Sequence, residues 1–235
     1  MCPVKLPPPA YLTNNAISAG GRVCGIDVGV NTAATAAIVD TNGTVIARRF
    51  LTCGRHNDQR DRLHRRIANI SREVARVLSA GLLAFARAYG AKVFVIEDLK
   101  SWKPKGGNRT QRPRFHRFQH RALVQALAYK AQEFGIRVME IFARGTSRWA
   151  FDGSGKIRRD KANYSLATFA SGKQYNADLN AAYNIAARGL AMILGIKKAD
   201  AGRSPASAER MPFVLADVWA WVRSCAPVHT SLETH

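Results

Sequence analysis

The sequence predicts an α/β fold built on a mixed β-sheet flanked by helices. Three observations lead there. Three short apolar or β-branched runs follow one another at 23–28, 33–40 and 44–50. Two more, at 92–97 and 136–142, each come after a segment whose apolar residues recur at helical spacing, and a last helical pattern, "DLNAAYNIAAR", closes the series. Meandering strands followed by strands that alternate with helices require antiparallel and parallel neighbours in one sheet, with helices on its faces.

The stretch 1–21 is rich first in Pro and then in Gly, and reads as an N-terminal connector. The second and third runs are separated by "TNG", a hairpin signal through Asn42 and Gly43. From about 58 to 88, Leu63, Ile67, Ile70, Val74, Val77, Leu78, Leu82 and Phe85 recur at spacings of three and four, which marks a long amphipathic helix. Its other face carries Arg60, Arg62, Arg65, Arg66, Arg72 and Arg76. Gly90 is placed to close that helix, and "KVFVIE" after it is too short for another helix and too apolar for a loop. A second amphipathic helix is expected with Leu123, Leu127, Ala131 and Phe134 on one side, leading into the strand at 136–142. The Gly-, Ser- and aromatic-rich stretch 143–175 suggests a β-hairpin insertion, and the last clear helix is expected over 178–188. One domain is therefore expected over 22–190. Residues 191–235 form a C-terminal tail in which "FVLADVWAWVRS" could make one more short helix. This is the element order of RNase H-like nucleases.

Lys and Arg total 36 against 16 Asp and Glu, a formal charge of +20 and a pI near 10.7. Such an excess points to a polyanionic partner, nucleic acid first, because phosphate neutralisation with counterion release is its usual use. Cys2, Cys24, Cys53 and Cys225 show no C-x-x-C pairing, so neither a zinc knuckle nor a disulfide framework is indicated. No apolar run approaches the roughly 18 residues of a membrane span, and "MCPVKLPPPAYL" lacks a signal-peptide core. A soluble, cytoplasmic, nucleoid-associated protein is expected.

Asp27 stands in "GIDVG", inside an otherwise apolar strand, where Asp is disfavoured without a partner. Glu97 ends the strand after the long helix, and Asp178 begins the final helix. If the first and fourth strands lie side by side, the first two acids converge, and the last helix can bring the third. Three acids from separate elements suit a site for two Mg²⁺ (or Mn²⁺) ions about 3.5–4 Å apart, one activating water and the other stabilising the leaving oxygen. Adjacent Asp98 must face the opposite side of the sheet from Glu97, so only one of them can serve. Taken singly, each acid also has a structural use: Asp27 as a strand-end residue, Glu97 in a surface pair, Asp178 at a helix end near Asn176.

The segment 100–121 places Lys103, Lys105, Arg109, Arg112, Arg114, Arg117 and Arg121 among Trp102, Phe115 and Phe118. Cations that neutralise phosphates and rings that stack on unpaired bases form a nucleic-acid channel pattern, although a charge run alone is often plain surface. His116 and His120 stand four apart, but the flanking cations oppose a bound dication there. Asn180 and Asn184 lie one turn apart on the final helix, placed either to orient an acid or to pack the helix.

Three blocks, "GIDVGVNTAAT", "VFVIEDLKSW" and "YNADLNAAYNIAARG", resemble the RuvC-like nuclease half of the transposon-encoded TnpB family and its relatives, the type V CRISPR effector nucleases. The resemblance runs from about 22 to 190. It implies RNA-guided, Mg²⁺-dependent cleavage of DNA, with Asp27, Glu97 and Asp178 at the family's catalytic, metal-binding positions. Two departures accompany it. Aligned on "TS" and "NAD", the chain has Ala150, Gly153, Thr168 and Ser171 where the family carries zinc-ribbon cysteines, so no zinc is expected and the insertion would be held by Trp149, Phe151, Tyr164 and Phe169. Almost nothing precedes the first acid, where the family has its guide-RNA and DNA-recognition region. The expected partners are therefore DNA, a guide RNA, and a separate N-terminal half or accessory protein. A non-catalytic nucleic-acid-binding remnant and a Holliday junction resolvase are the competing readings.

Overall fold

In a computed structural model of the chain, the described residues are 20–29, 33–52, 67–99, 113–142, 145–160, 163, 165–196 and 212–225, with only the backbone described at 67–71 and 113–119. The first three strands are β1 (Arg22–Asp27), β2 (Ala34–Asp40) and β3 (Val45–Leu51), each within a residue or two of its expected place. Asp40 builds the turn between β2 and β3. Its Oδ1 accepts from the backbone N–H of Asn42 and of Thr44, both at 2.9 Å, while Gly43 adopts φ +79°, which a side chain would resist.

Helix α1 (Ile67–Ala88) leads into β4 (Val93–Asp98), and α2 (Pro113–Glu133) leads into β5 (Arg137–Phe142). Each helix ends on a left-handed glycine: Gly90 donates to Arg87 O while Ala91 donates to Ala86 O, and Gly135 and Ile136 repeat the pattern on Gln132 and Ala131. The strands form one sheet in the order β3-β2-β1-β4-β5. The pairs β1/β2 and β2/β3 are antiparallel, β1/β4 and β4/β5 parallel, which is the RNase H-like arrangement.

The side-chain alternation of β1 and β4 divides the core in two. Cys24, Ile26, Phe94 and Ile96 point to the face covered by α1 and α2, against Val74, Leu78, Leu82, Leu123 and Leu127. Val23, Val93 and Val95 point to the other face, covered by α3 (Ala177–Leu194) and α4 (Leu215–Cys225). Helix α3 runs directly on β1. A Cβ on Gly25 would collide with Ala182 O, and with Ala186 N at 2.7 Å, and a Cβ on Gly189 would collide with Val95. The glycine of "GIDVG" is therefore there for the approach of a helix backbone.

Four expectations change. Val77, assigned to the buried stripe of α1, is 42% exposed, because the stripe through Val74, Leu78, Leu82 and Phe85 is narrower than the run of apolar residues. Phe134 lies past the end of α2, is 40% exposed, and has the Arg87 guanidinium 4.1 Å above its ring. The final helix continues beyond 188 to Leu194, and the segment expected as a tail supplies Leu215 and Val218 to the core. The stretch expected as a β-hairpin is a small three-stranded antiparallel sheet of β6 (Arg158–Arg159), β7 (Leu166–Thr168) and β8 (Gln174–Asn176).

No thiolate stands at the aligned ribbon positions. The described part of the insertion is instead gathered around Phe151, whose ring meets Phe169, Tyr175, Tyr183 and Trp219 edge-on at 5.1–6.2 Å. Trp149 is buried beside it, while Tyr164 lies outside the described residues. Among the described residues no helix is long and apolar enough to cross a membrane.

Candidate active site

The parallel register of β1 and β4 runs through Ile26 opposite Ile96, so Asp27 and Glu97 follow as the next residues of neighbouring strands. Both share the face of Val23 and Val95, the one covered by α3. By the phase of β4, Glu97 shares the face of Asp27 and Asp98 does not. Asp98 falls on the α1/α2 side, where it lines a cavity with His120, Val124 and Glu140. Asp178 sits in the first turn of α3, whose N-cap Asn176 accepts from the backbone N–H of Asp178 at 3.0 Å and of Leu179 at 2.9 Å. The cap starts the helix at the end of the sheet where the two strand acids stand.

Asp27 lies near enough to the other two carboxylates to feel their charge. Burial raises the pKa of Asp27 well above the usual carboxylate range, and the charges of Glu97 and then Asp178 raise it further, while Arg159 opposes them. Glu97 is also raised by burial, an effect countered by the Thr146 hydroxyl that donates to its Oε1 and by the nearby Arg188 guanidinium. Arg188, from the middle of α3, is tied by Nη1 to Phe142 O at 2.7 Å and by Nε to Phe213 O at 3.3 Å. Hard oxygen donors set about an acid that feels the charge of two others have the chemistry of a divalent-cation site. Among the described residues, however, no group of three or more Asp, Glu, His or Cys side chains is gathered closely enough to hold a metal ion.

Asn180 and Asn184 are wholly buried and face the insertion. Asn180 accepts from Phe151 N at 2.8 Å and donates to Trp149 O at 2.9 Å; Asn184 donates to Thr146 O at 2.9 Å and Trp149 O at 2.8 Å. They hold the turn 145–151 on α3. Further out, Arg48 on β3 donates to the Tyr175 hydroxyl, which lies 3.0 Å from that of Tyr183. Burial and the Tyr175 hydroxyl push the Tyr183 phenol up to about 12, so it stays protonated at neutral pH.

Of the expected nucleic-acid contacts, Arg121 is exposed on α2. The backbone of Arg114, Phe115 and Arg117 lies in the first turns of that helix, whereas Trp102, Lys103, Lys105, Arg109 and Arg112 lie outside the described residues. Thr146, Arg159 and Arg188, which act on the candidate acids in the fold, are not among the residues the sequence singles out. Thr146 is visible in the sequence only as the "TS" by which the insertion is aligned, and nothing in the spacing of the two arginines marks them.

The family model of the Cas12f1-like TNB domain matches residues 120–185, a stretch that runs from α2 through the insertion into α3. No curated protein sequence gives a significant match. Among solved structures, the chain is similar to a Cas12f1–sgRNA–target DNA complex, at 16% identity and a TM-score of 0.50 over 70% of this chain and 49% of that one. A CRISPR-Cas12f ternary complex gives 16% identity and a TM-score of 0.47 over 72% and 40%. Thermus thermophilus RuvC gives 15% and 0.36 over 86% and 93%. The chain spans about half the length of the Cas12f1 chain it matches.

Proposed function

We propose that this chain is a RuvC-like nuclease of the TnpB and type V kind, a divalent-metal-dependent endonuclease that hydrolyses DNA phosphodiesters. The observation that supports this best is the placement of Asp27 and Glu97 at the ends of adjacent parallel strands, on the face where α3 brings Asp178. Without a counter-charge that arrangement is electrostatically unfavourable, and so calls for a cation.

Asp27, Glu97 and Asp178 would hold Mg²⁺ or Mn²⁺, which supplies an activated water and a counter-charge for the leaving 3′ oxygen. The protein's own groups do the rest. Asp27 ends a strand whose four preceding residues, Val23 to Ile26, are buried, so its backbone is held in place and would fix the position of the reacting phosphate. Arg159 and Arg188 balance part of the acid cluster's charge and soften its repulsion of a phosphodiester. The +20 charge of the chain, with the basic stretch that ends in Arg121, draws nucleic acid in and holds it.

A guide RNA is the partner this reading names, because the Cas12f1 structure it resembles is a complex with sgRNA and target DNA. The part of Cas12f1 that this chain does not span would supply guide binding and recognition of the target.

Asp27→Ala tests the site. Mg²⁺-dependent nicking of single-stranded DNA should fall to background while DNA affinity changes little, and equal cleavage by the variant would sink the assignment. Adding co-purified RNA should turn general nicking into cleavage at one sequence. A second reading, a binding protein without turnover, is favoured by the absence of a closed ligand group among the described residues. A Mg²⁺ titration of cleavage separates the two, since a pure binder stays inactive at every concentration.

A further inference from the structure

We infer that Thr146 is a positioning residue for Glu97, and that the insertion thereby supports the acid site as well as lying beside it. The inference rests on the nuclease reading above. Glu97 stands at the end of β4, where three side-chain torsions leave its carboxylate free to turn unless something holds it. The Thr146 hydroxyl donates to Glu97 Oε1, from a residue 49 positions away and only 2% exposed. Thr146 is itself held from behind, because its carbonyl accepts from Asn184 Nδ2 at 2.9 Å.

That second bond matters most. Asn184 also holds Trp149 O, and Asn180, one turn earlier, holds Trp149 O and Phe151 N, so the whole turn 145–151 is fixed to α3 by amides that are themselves fully buried. Helix α3 carries Asp178 in its first turn. One rigid element thus places Asp178 directly and Glu97 through Thr146, while β1 places Asp27. Groups that hydrogen-bond a metal-binding carboxylate fix its orientation, and their loss typically costs about 10–100-fold in metal affinity or activity. The asparagine pair explains why the turn must be polar inside: its carbonyls and N–H groups are buried, and an apolar helix face would leave them unsatisfied.

Thr146→Val removes the hydroxyl and keeps the shape, and Thr146→Ser keeps the hydroxyl. Three readouts are compared: Mg²⁺-dependent cleavage, Mn²⁺ binding by electron paramagnetic resonance, and the side-chain carboxyl ¹³C resonance of Glu97, assigned by its loss in Glu97→Gln. T146V should weaken Mn²⁺ binding and lower kcat by about 10–100-fold, with DNA affinity unchanged, and should move the Glu97 resonance. T146S should stay within a few-fold of wild type on all three. A T146V protein that cleaves, binds Mn²⁺ and resonates like wild type overturns the inference, as does a T146S protein that falls as far as T146V, since packing would then be the cause. If T146V does not fold, Thr146→Ala takes its place with the same expectations. A wild-type protein that neither cleaves nor binds Mn²⁺ defeats the nuclease reading instead; the Glu97 resonance still decides, in that protein, whether the Thr146 hydroxyl orients the carboxylate.

Discussion

The two faces of the central sheet are made by the same strands and do different work. Toward α1 and α2, the strands present Cys24, Ile26, Phe94 and Ile96 to Leu78, Leu82, Leu123 and Leu127, a contact made of apolar side chains of ordinary size. Toward α3, they present Gly25, Val95 and two carboxylates to a helix that makes its closest approaches through Ala182, Ala186 and Gly189. On the first face the helices stand off at side-chain distance. On the second, backbone meets backbone, and the polar groups that would be costly in an apolar interface are concentrated at one end. Adjacent residues on one strand can thus serve stability and chemistry separately, because the pleat sends them to opposite sides.

Substitutions on the two faces should therefore fail in different ways. Leu127→Ala, at a fully buried position on the α1/α2 side, should cost about 2–5 kcal/mol in a denaturant titration. It should leave cleavage per folded molecule near wild type. A loss of activity well below the melting temperature would mean that the faces are not independent. Gly25→Ala adds one methyl group where α3's backbone stands, and should cost about 1–3 kcal/mol. Unlike the first variant, it should lower activity even when folded, since the helix it displaces carries Asp178.

Asp27→Asn sharpens the comparison from the opposite direction. The carboxyl of Asp27 takes a proton more readily in the folded chain than in the unfolded one, because burial and its acidic neighbours raise its pKa. Between the ordinary carboxylate range and that raised value the folded state binds more protons, so stability falls as pH rises through this window. In metal-free buffer at neutral pH the ionised acid is therefore a cost, and D27N should melt at a higher temperature than wild type with a flatter dependence on pH. Added Mg²⁺ should stabilise wild type and leave D27N nearly unmoved. A D27N protein no more stable than wild type would show that the acid cluster is not under the repulsion inferred for it.

Most of the sheet could be read from the sequence because its signals are local. A hairpin with Asn-Gly, strands that are too apolar to be loops, and helices closed by glycine each report on a few consecutive residues. The candidate acids Asp27 and Asp178 stand out for the same reason, one as an acid in an apolar run and the other as the opening of a helical pattern. Glu97 is preferred to Asp98 by the resemblance alone in the sequence, since which of the two shares the face of Asp27 depends on the phase of the strand against α3. Val77 and Phe134 were misplaced because a list of apolar positions does not show how wide a helix's buried stripe is or where the helix stops. Asn180 and Asn184 were noticed as a pair, yet their partners lie more than 28 residues away along the chain. Thr146, Arg159 and Arg188 act on the acids through approaches that exist only after folding, and a sequence has no local mark for these.

One contact made by α4 bears on when this protein becomes complete. Trp219 Nε1 donates to Gly43 O at 2.8 Å, joining residues 176 positions apart, and Leu215 and Val218 lie beneath in the core on α3's side. A chain made from its N-terminus has all three acids by residue 178, but the helix that covers that side of the molecule ends only at Cys225. Contacts of such long range close late in folding. During synthesis the three acids thus emerge well before the face that carries them is sealed, so a ribosome-bound fragment holds every acid of the proposed site without its finished support.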